Sequence, residues 1–290
     1  MSDNPQPVPH YDPSHAFALP GYRVITLEGR DAEAFAHAQF MSDVKSLGLG
    51  QWHWSGWLTS KGRVTALFAL LKLSAERIGL LLLDVEPEAF AATLRRYVFR
   101  SKVTILAAPH SYICGSFSAS REALGNVVAG DWDRAAELDL GADGGPRMLR
   151  VVTDGHVPVN DVALARWTAF DFEHGLPRLP SSQLEQWTPQ MLSLQRLRAF
   201  SINKGCYPGQ EIVARTHFLG QAKRGLALLQ ADSPIAVGSE VRDGQQALGT
   251  VISTQATLAL AVLPLQRDAT ALSADGVAVR ERPLLGGLAR

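Results

Sequence analysis

Apolar positions along the chain fall into short runs, some alternating and some continuous, interspersed with a few segments of helical spacing. Tyr22–Glu28 reads as a strand, and Asp31 then offers an N-cap for a short helix carrying Phe35 through Phe40. Trp52 and Trp54 alternate on one face of the next strand and read as core in preference to a stacking platform. Residues 64–73 and 78–85 are apolar and rich in strand formers, and Ser74-Ala75-Glu76-Arg77 between them predicts a hairpin. Pro87 opens a segment in which Phe90, Leu94 and Tyr97 recur at helical spacing, with Arg95 and Arg96 on a solvated face. Strand signals follow at 103–107 and 112–117.

A second mixed passage begins at Ser120, a cap signal for a helical stretch over 120–124, and a strand is predicted at 147–152. Residues 163–174 place Leu164, Trp167 and Phe170 or Asp171 at helical intervals, and the pattern stops at Gly175 with Pro177 beyond. Glu173 falls in the last turn. After Arg215 the character changes to short β-like runs at 224–230, 247–254, 257–263 and 277–280, broken by Gly, Pro and Asp. These predict a separate C-terminal β-barrel or sandwich.

Composition narrows the function. A chain of 290 residues exceeds one compact domain, and 46% hydrophobic with 19% charged residues is globular usage. Lys+Arg 28 equals Asp+Glu 28, so no global field draws the chain to nucleic acid or an anionic membrane. Two cysteines, Cys114 and Cys206, exclude a disulfide-stapled scaffold and a four-thiolate metal site made by one chain. The start carries Pro5, Pro7, Pro9 and Pro13 with no apolar core, unlike a signal peptide or presequence, and the longest apolar runs are too short to cross a bilayer. A soluble protein of the reducing cytoplasm is expected.

Two passages carry chemistry. In Lys204-Gly205-Cys206-Tyr207-Pro208-Gly209-Gln210-Glu211 the glycines and the proline make a tight turn, after which a helix or an edge strand starts. Lysine two residues from cysteine favours the thiolate, so Cys206 reads either as a reactive thiol or as a packing residue of a glycine-rich turn. In Asp171-Phe172-Glu173-His174-Gly175-Leu176-Pro177 a carboxylate at a helix end is either a solvated Glu or an acceptor of two parallel hydrogen bonds from a flat amidine-like edge, as in a pterin or guanine. His53, His156, His174 and His217 lack metal-ligand spacing, and no metal site is expected.

Together these passages resemble the YgfZ-type folate-binding family, which is related to the aminomethyltransferase of the glycine cleavage system (T-protein) and includes factors that help mature 4Fe–4S enzymes. The signature runs from Lys204 to Arg215 and on into Thr216-His217. Ala38-Gln39, Ser42-Asp43-Val44, Ser60-Lys61-Gly62-Arg63, Ser101-Lys102-Val103-Thr104, Glu173-x-Gly-x-Pro and Pro189-Gln190 agree in order, so the resemblance spans roughly residues 22–226.

The resemblance implies an α+β fold in which two interleaved α+β units enclose a central channel, plus a C-terminal β-barrel. The corresponding layout is a Pro-rich flexible start (1–16), a first unit (17–110), a second unit carrying the signature loop (111–215) and the barrel (216–290). It implies tetrahydrofolate in the channel, with Glu173 as the pterin-binding carboxylate and Tyr207, Gln210, Glu211 and Arg215 among the folate contacts. Cys206 with Lys204 is then a functional thiol and its activator. Iron–sulfur enzymes or assembly proteins are the implied partners, with indirect effects on tRNA modification and no stable nucleic-acid or membrane binding. T-proteins carry an Asp that assists aminomethyl transfer where this sequence has Val64-Thr65-Ala66-Leu67. Glycine-cleavage activity is therefore disfavoured, and an aminomethyltransferase-like one-carbon enzyme stands as the rival reading.

Overall fold

The computed structural model describes residues 16–107, 111–153, 157–218, 220, 222–267 and 271–290. The described chain begins with strands β1 (Phe17–Ala18) and β2 (Tyr22–Glu28), helix α1 (Ala32–Gln39), strands β3 (Gln51–Leu58), β4 (Val64–Ser74) and β5 (Arg77–Leu83), helix α2 (Pro87–Arg95) and strand β6 (Thr104–Ala107). Strands β7 (Tyr112–Ser116), β8 (Val128–Asp131), β9 (Ala135–Asp139) and β10 (Met148–Val152) follow, then helices α3 (Asp161–Glu173) and α4 (Gln210–Phe218). The rest is β: β11 (Arg224–Ala231), β12 (Glu240–Asp243), β13 (Gln246–Gln255), β14 (Leu258–Pro264), β15 (Leu272–Ala274) and β16 (Val277–Arg282).

The first sheet has the order β3-β4-β5-β2-β6 and is antiparallel throughout. Its hairpin strands are apolar without alternation because both faces are covered. On one face Ala66, Phe68 and Leu70 pack with Phe35 and Phe40, and with Phe90 and Leu94 of α2. Edge-on rings, Phe40 to Phe68 at 4.8 Å and Trp57 to Phe90 at 5.5 Å, seal this layer. On the other face Trp52, Trp54, Leu67, Ala69 and Leu71 enter a larger core shared with the second sheet and the barrel.

The second sheet, β1-β7-β10-β9-β8, carries α3, whose Trp167 is fully buried. The last six strands form a closed barrel in which β16 returns to pair with β11, so no edge is left open. The molecule is thus α+β with a C-terminal barrel, as the resemblance implies, and of the barrel and sandwich that the pattern left open it has the barrel. One predicted helix is absent: Ser120 Oγ does accept from the amides of Glu122 and Ala123, but no helix follows. Asp139 Oδ2 instead takes the Gly125 amide at 3.0 Å, and the chain enters β8, where pairing with β9 outweighs the isolated cap. The proline-rich segment 1–15 and His156 lie outside the described residues.

A buried charge network ties the units together. Arg147 Nη1 donates to Asp171 Oδ1 at 2.6 Å with both side chains fully buried, and the guanidinium lies between the rings of Trp167 (4.2 Å) and Phe170 (4.1 Å). Arg178 donates to the other Asp171 oxygen at 3.1 Å and to Asp84, beyond β5, at 2.5 and 2.7 Å, while its carbonyl accepts from Ser253 of the barrel. Trp167 Nε1 donates to Tyr22 Oη at 3.1 Å, and burial pushes that phenol up to about 12, so it stays protonated.

Candidate functional site

The signature turn sits against the turn that joins β3 to β4. At Gly209 (φ 76) a Cβ would stand 2.5 Å from Gly62 Cα, so the two glycines allow direct contact of the backbones. Lys204 sends its ammonium inward, donating to the carbonyls of His37, Phe40 (2.5 Å) and Ser42 (2.9 Å) at and beyond the C-terminus of α1. Those orphan carbonyls and the helix dipole favour a cation there. Burial pulls the lysine down to about 8, which leaves it protonated at neutral pH. Its ammonium also lies 4.7 Å over the Tyr207 ring. Tyr207 Oη donates to Ser201 O at 2.9 Å and Gln210 Nε2 to Lys204 O at 3.0 Å. The polar groups of Lys204, Tyr207 and Gln210 therefore brace the turn itself, while Cys206 and Glu211 are exposed.

Pro208 of this turn lines a cavity of about 650 Å³ together with Ser60, Thr65, Trp57, Tyr97 and Glu185. Thr65 Oγ1 donates to Trp57 O at 3.0 Å, so toward the cavity it has only lone pairs to offer. The buried Trp57 Nε1 has no hydrogen-bond partner among the described residues. Glu185 is the functional candidate that the sequence reading missed. It is exposed, has φ 60, and is fixed beside β4 by the hydrogen bond its backbone amide donates to Val64 O at 2.8 Å. It lies in a loop after a 3-10 turn, Ser181–Gln183, where no spacing marks it.

The remaining predicted residues lie elsewhere. Glu173 ends α3, partly exposed, with Oε1 3.5 Å from Arg282 Nη2 and its carbonyl accepting from Leu285, and it is not in the wall of the Pro208 cavity. Arg215 lines a separate cavity of about 470 Å³ with Thr188, Met191 and Lys223. Cys114 is buried on β7, and burial raises its thiol pKa. Among the described residues no three His, Cys, Asp or Glu side chains gather to hold a metal ion, and no helix is long and apolar enough to cross a membrane.

Beneath the turn, His53 is buried and its Nε2 has no partner among the described residues. Burial holds its pKa down to about 4, opposed by Asp43 and reinforced by Lys204. An unfolded histidine titrates near 6.5, so as pH falls from 6.5 through 4 the unfolded state takes up the proton first. Stability is then lost by up to about 3 kcal/mol. His53→Asn is expected to flatten this part of the stability curve in denaturant titrations; an unaltered slope between pH 7 and 4 contradicts the assignment.

The CAF17 C-terminal beta-barrel domain family matches residues 221–283. A Haemophilus influenzae protein described as uncharacterized is 30% identical over 233 residues, covering 79% of this chain and 78% of that one. A protein of Sodalis glossinidius described as tRNA-modifying protein YgfZ is 28% identical over 278 residues, covering 86% and 83%. Among solved structures, the glycine cleavage system aminomethyltransferase T from Bartonella henselae superposes with a TM-score of 0.69 at 16% identity, over 93% of this chain and 85% of that one.

Proposed function

The chain belongs to the YgfZ-type family of folate-binding proteins, and from that premise we propose that it binds tetrahydrofolate and supports assembly or repair of iron–sulfur enzymes in the cytoplasm. Effects on tRNA modification follow indirectly, through modifying enzymes that contain clusters. The observation that carries this reading is the cavity where the signature turn meets β3 and β4. Its volume of about 650 Å³ suits a small-molecule cofactor, its lining includes the rings of Trp57, Phe90 and Tyr97, and by the resemblance Thr65 falls in the segment where the transferase carries its Asp. Glu173 lies outside the wall of this cavity and is proposed as the pterin acceptor on the resemblance, with a partly exposed carboxylate whose ion pair to Arg282 is long.

Loss of a positioned catalytic group typically costs 10²-fold to 10⁴-fold, so no aminomethyl transfer is expected in a coupled assay with the other glycine-cleavage components. Glu185 gives the rival enzyme a foothold, because it is a carboxylate in the same cavity as Thr65. Turnover comparable to a T-protein, abolished by Glu185→Gln, would establish that rival.

Cys206 is the proposed functional thiol. It is exposed where Cys114 is 4% exposed, so a thiol reagent at neutral pH is expected to modify Cys206 at least about tenfold faster. Lys204→Ala separates two roles for the lysine. Slower labelling supports activation of the sulfur, whereas an unchanged rate with a lower thermal midpoint assigns Lys204 to bracing the turn.

A further inference from the structure

Residues 96–103 join α2 to β6 as a largely exposed segment without regular structure. Its backbone is held at both ends. Arg95 donates through Nε and Nη2 to Ile105 O at 3.2 and 2.8 Å, and the Lys102 amide donates to Asp31 Oδ2 at 2.6 Å. Between these ties Tyr97 packs its ring edge-on to Trp57 at 5.5 Å. The fixed segment leaves Phe99 85% exposed, more than any other large apolar side chain among the described residues.

Cations surround that ring. Arg96, Arg100 and Lys102 are exposed, and their charged groups have no hydrogen-bond or ion-pair partner among the described residues. Arg30 joins them, because Gly29 passes so close that a Cβ there would stand 2.2 Å from Lys102 O. Its ionic contact is Asp31 at 3.9 Å, a carboxylate already taken by the Lys102 amide. Other acids are committed elsewhere, Glu28 to Arg77 at 3.0 Å and Glu33 to Lys72 at 2.9 Å, and Glu88 sits in the first turn of α2, at the opposite end of the helix. A chain with no net charge thus gathers four cations around one bare ring.

That combination selects the partner. An acidic peptide satisfies the cations but seats its own apolar anchors in pockets, and Phe99 offers a ring face instead. A membrane surface calls for several apolar groups at one depth, and here a single ring stands among the charges. A single-stranded nucleic acid matches both features, with phosphates for the cations and an unpaired base for the ring. We propose that residues 96–102, with Arg30, form a contact surface for single-stranded nucleic acid in which a base stacks on Phe99 and the flanking phosphates meet Arg96, Arg100 and Lys102. Of these residues only Tyr97 lines the Pro208 cavity, so the surface stands whether or not folate binds there. Its small extent makes the contact weak and salt-sensitive.

The test is fluorescence anisotropy of the full chain with a labelled oligouridylate of about 12 nucleotides, long enough to span one such surface. Saturable binding is expected, with log affinity falling against log salt at a slope of about −2, the value for three phosphates of a single strand. Arg100→Gln should reduce that slope by about 0.7. Phe99→Ala should weaken binding about tenfold without changing the slope, and Phe99→Trp should restore it. All three side chains concerned are exposed, so an unchanged thermal midpoint should accompany each variant. No saturable binding at low salt overturns the proposal. So does equal affinity for a duplex of the same length with no loss in Phe99→Ala, which reduces the patch to a diffuse positive field. Displacement of the oligonucleotide by polyglutamate at equal charge concentration, or tighter binding to phosphatidylserine vesicles, also overturns it and assigns the surface to an acidic protein or to a membrane.

Discussion

Asp171→Ala is expected to lower unfolding free energy by about 3–5 kcal/mol, enough to drop the thermal midpoint by roughly 10 °C in scanning calorimetry. The size follows from burial. Arg147 has no exposed side-chain surface, and its ion-pair partner is Asp171, which also receives Arg178 from the segment after α3. Removing the carboxylate strands one guanidinium between two aromatic rings and leaves the second with Asp84 alone. Double replacement, Arg147→Met with Asp171→Leu, should recover much of the loss because no uncompensated charge remains. A wild-type midpoint for Asp171→Ala would contradict the role given to this network in joining the units.

Glu173→Ala is expected to weaken tetrahydrofolate binding by about 2–4 kcal/mol, about 30-fold to 700-fold in Kd. Two charge-assisted hydrogen bonds from the pterin amino group and ring N–H account for that range. The carboxylate is available for them, since its pair with Arg282 is 3.5 Å long and half exposed, an arrangement that contributes at most about 1 kcal/mol. Calorimetric isotherms for Glu173→Ala and Glu185→Ala decide between the two acids. Unchanged affinity in the first with a large loss in the second would move the pterin to the cavity beside Thr65.

What the sequence reveals and what it hides divide along contact range. The strand at Tyr22–Glu28, the hairpin around residues 74–77, the helix ending at Glu173 and the barrel are visible because each is written in local periodicity and turn chemistry. Strands β8, β12 and β15 are three or four residues long and partly exposed, so only their partners across the sheet define them. Ser120 shows the converse, a local cap whose helix is overruled by pairing with β9. The same holds for the site. Lys204 stands out in the signature, but its acceptors lie more than 160 residues earlier, at the end of α1. Glu185 acquires meaning only through a cavity whose walls are built by residues far from it in sequence.

The central claim, that this chain is a folate-binding protein, is tested most directly by titrating the full chain with tetrahydrofolate in a calorimeter under reducing conditions. Saturable binding with one equivalent per chain is predicted. Absence of saturable binding, from a protein shown to be folded by its thermal transition, would contradict the account.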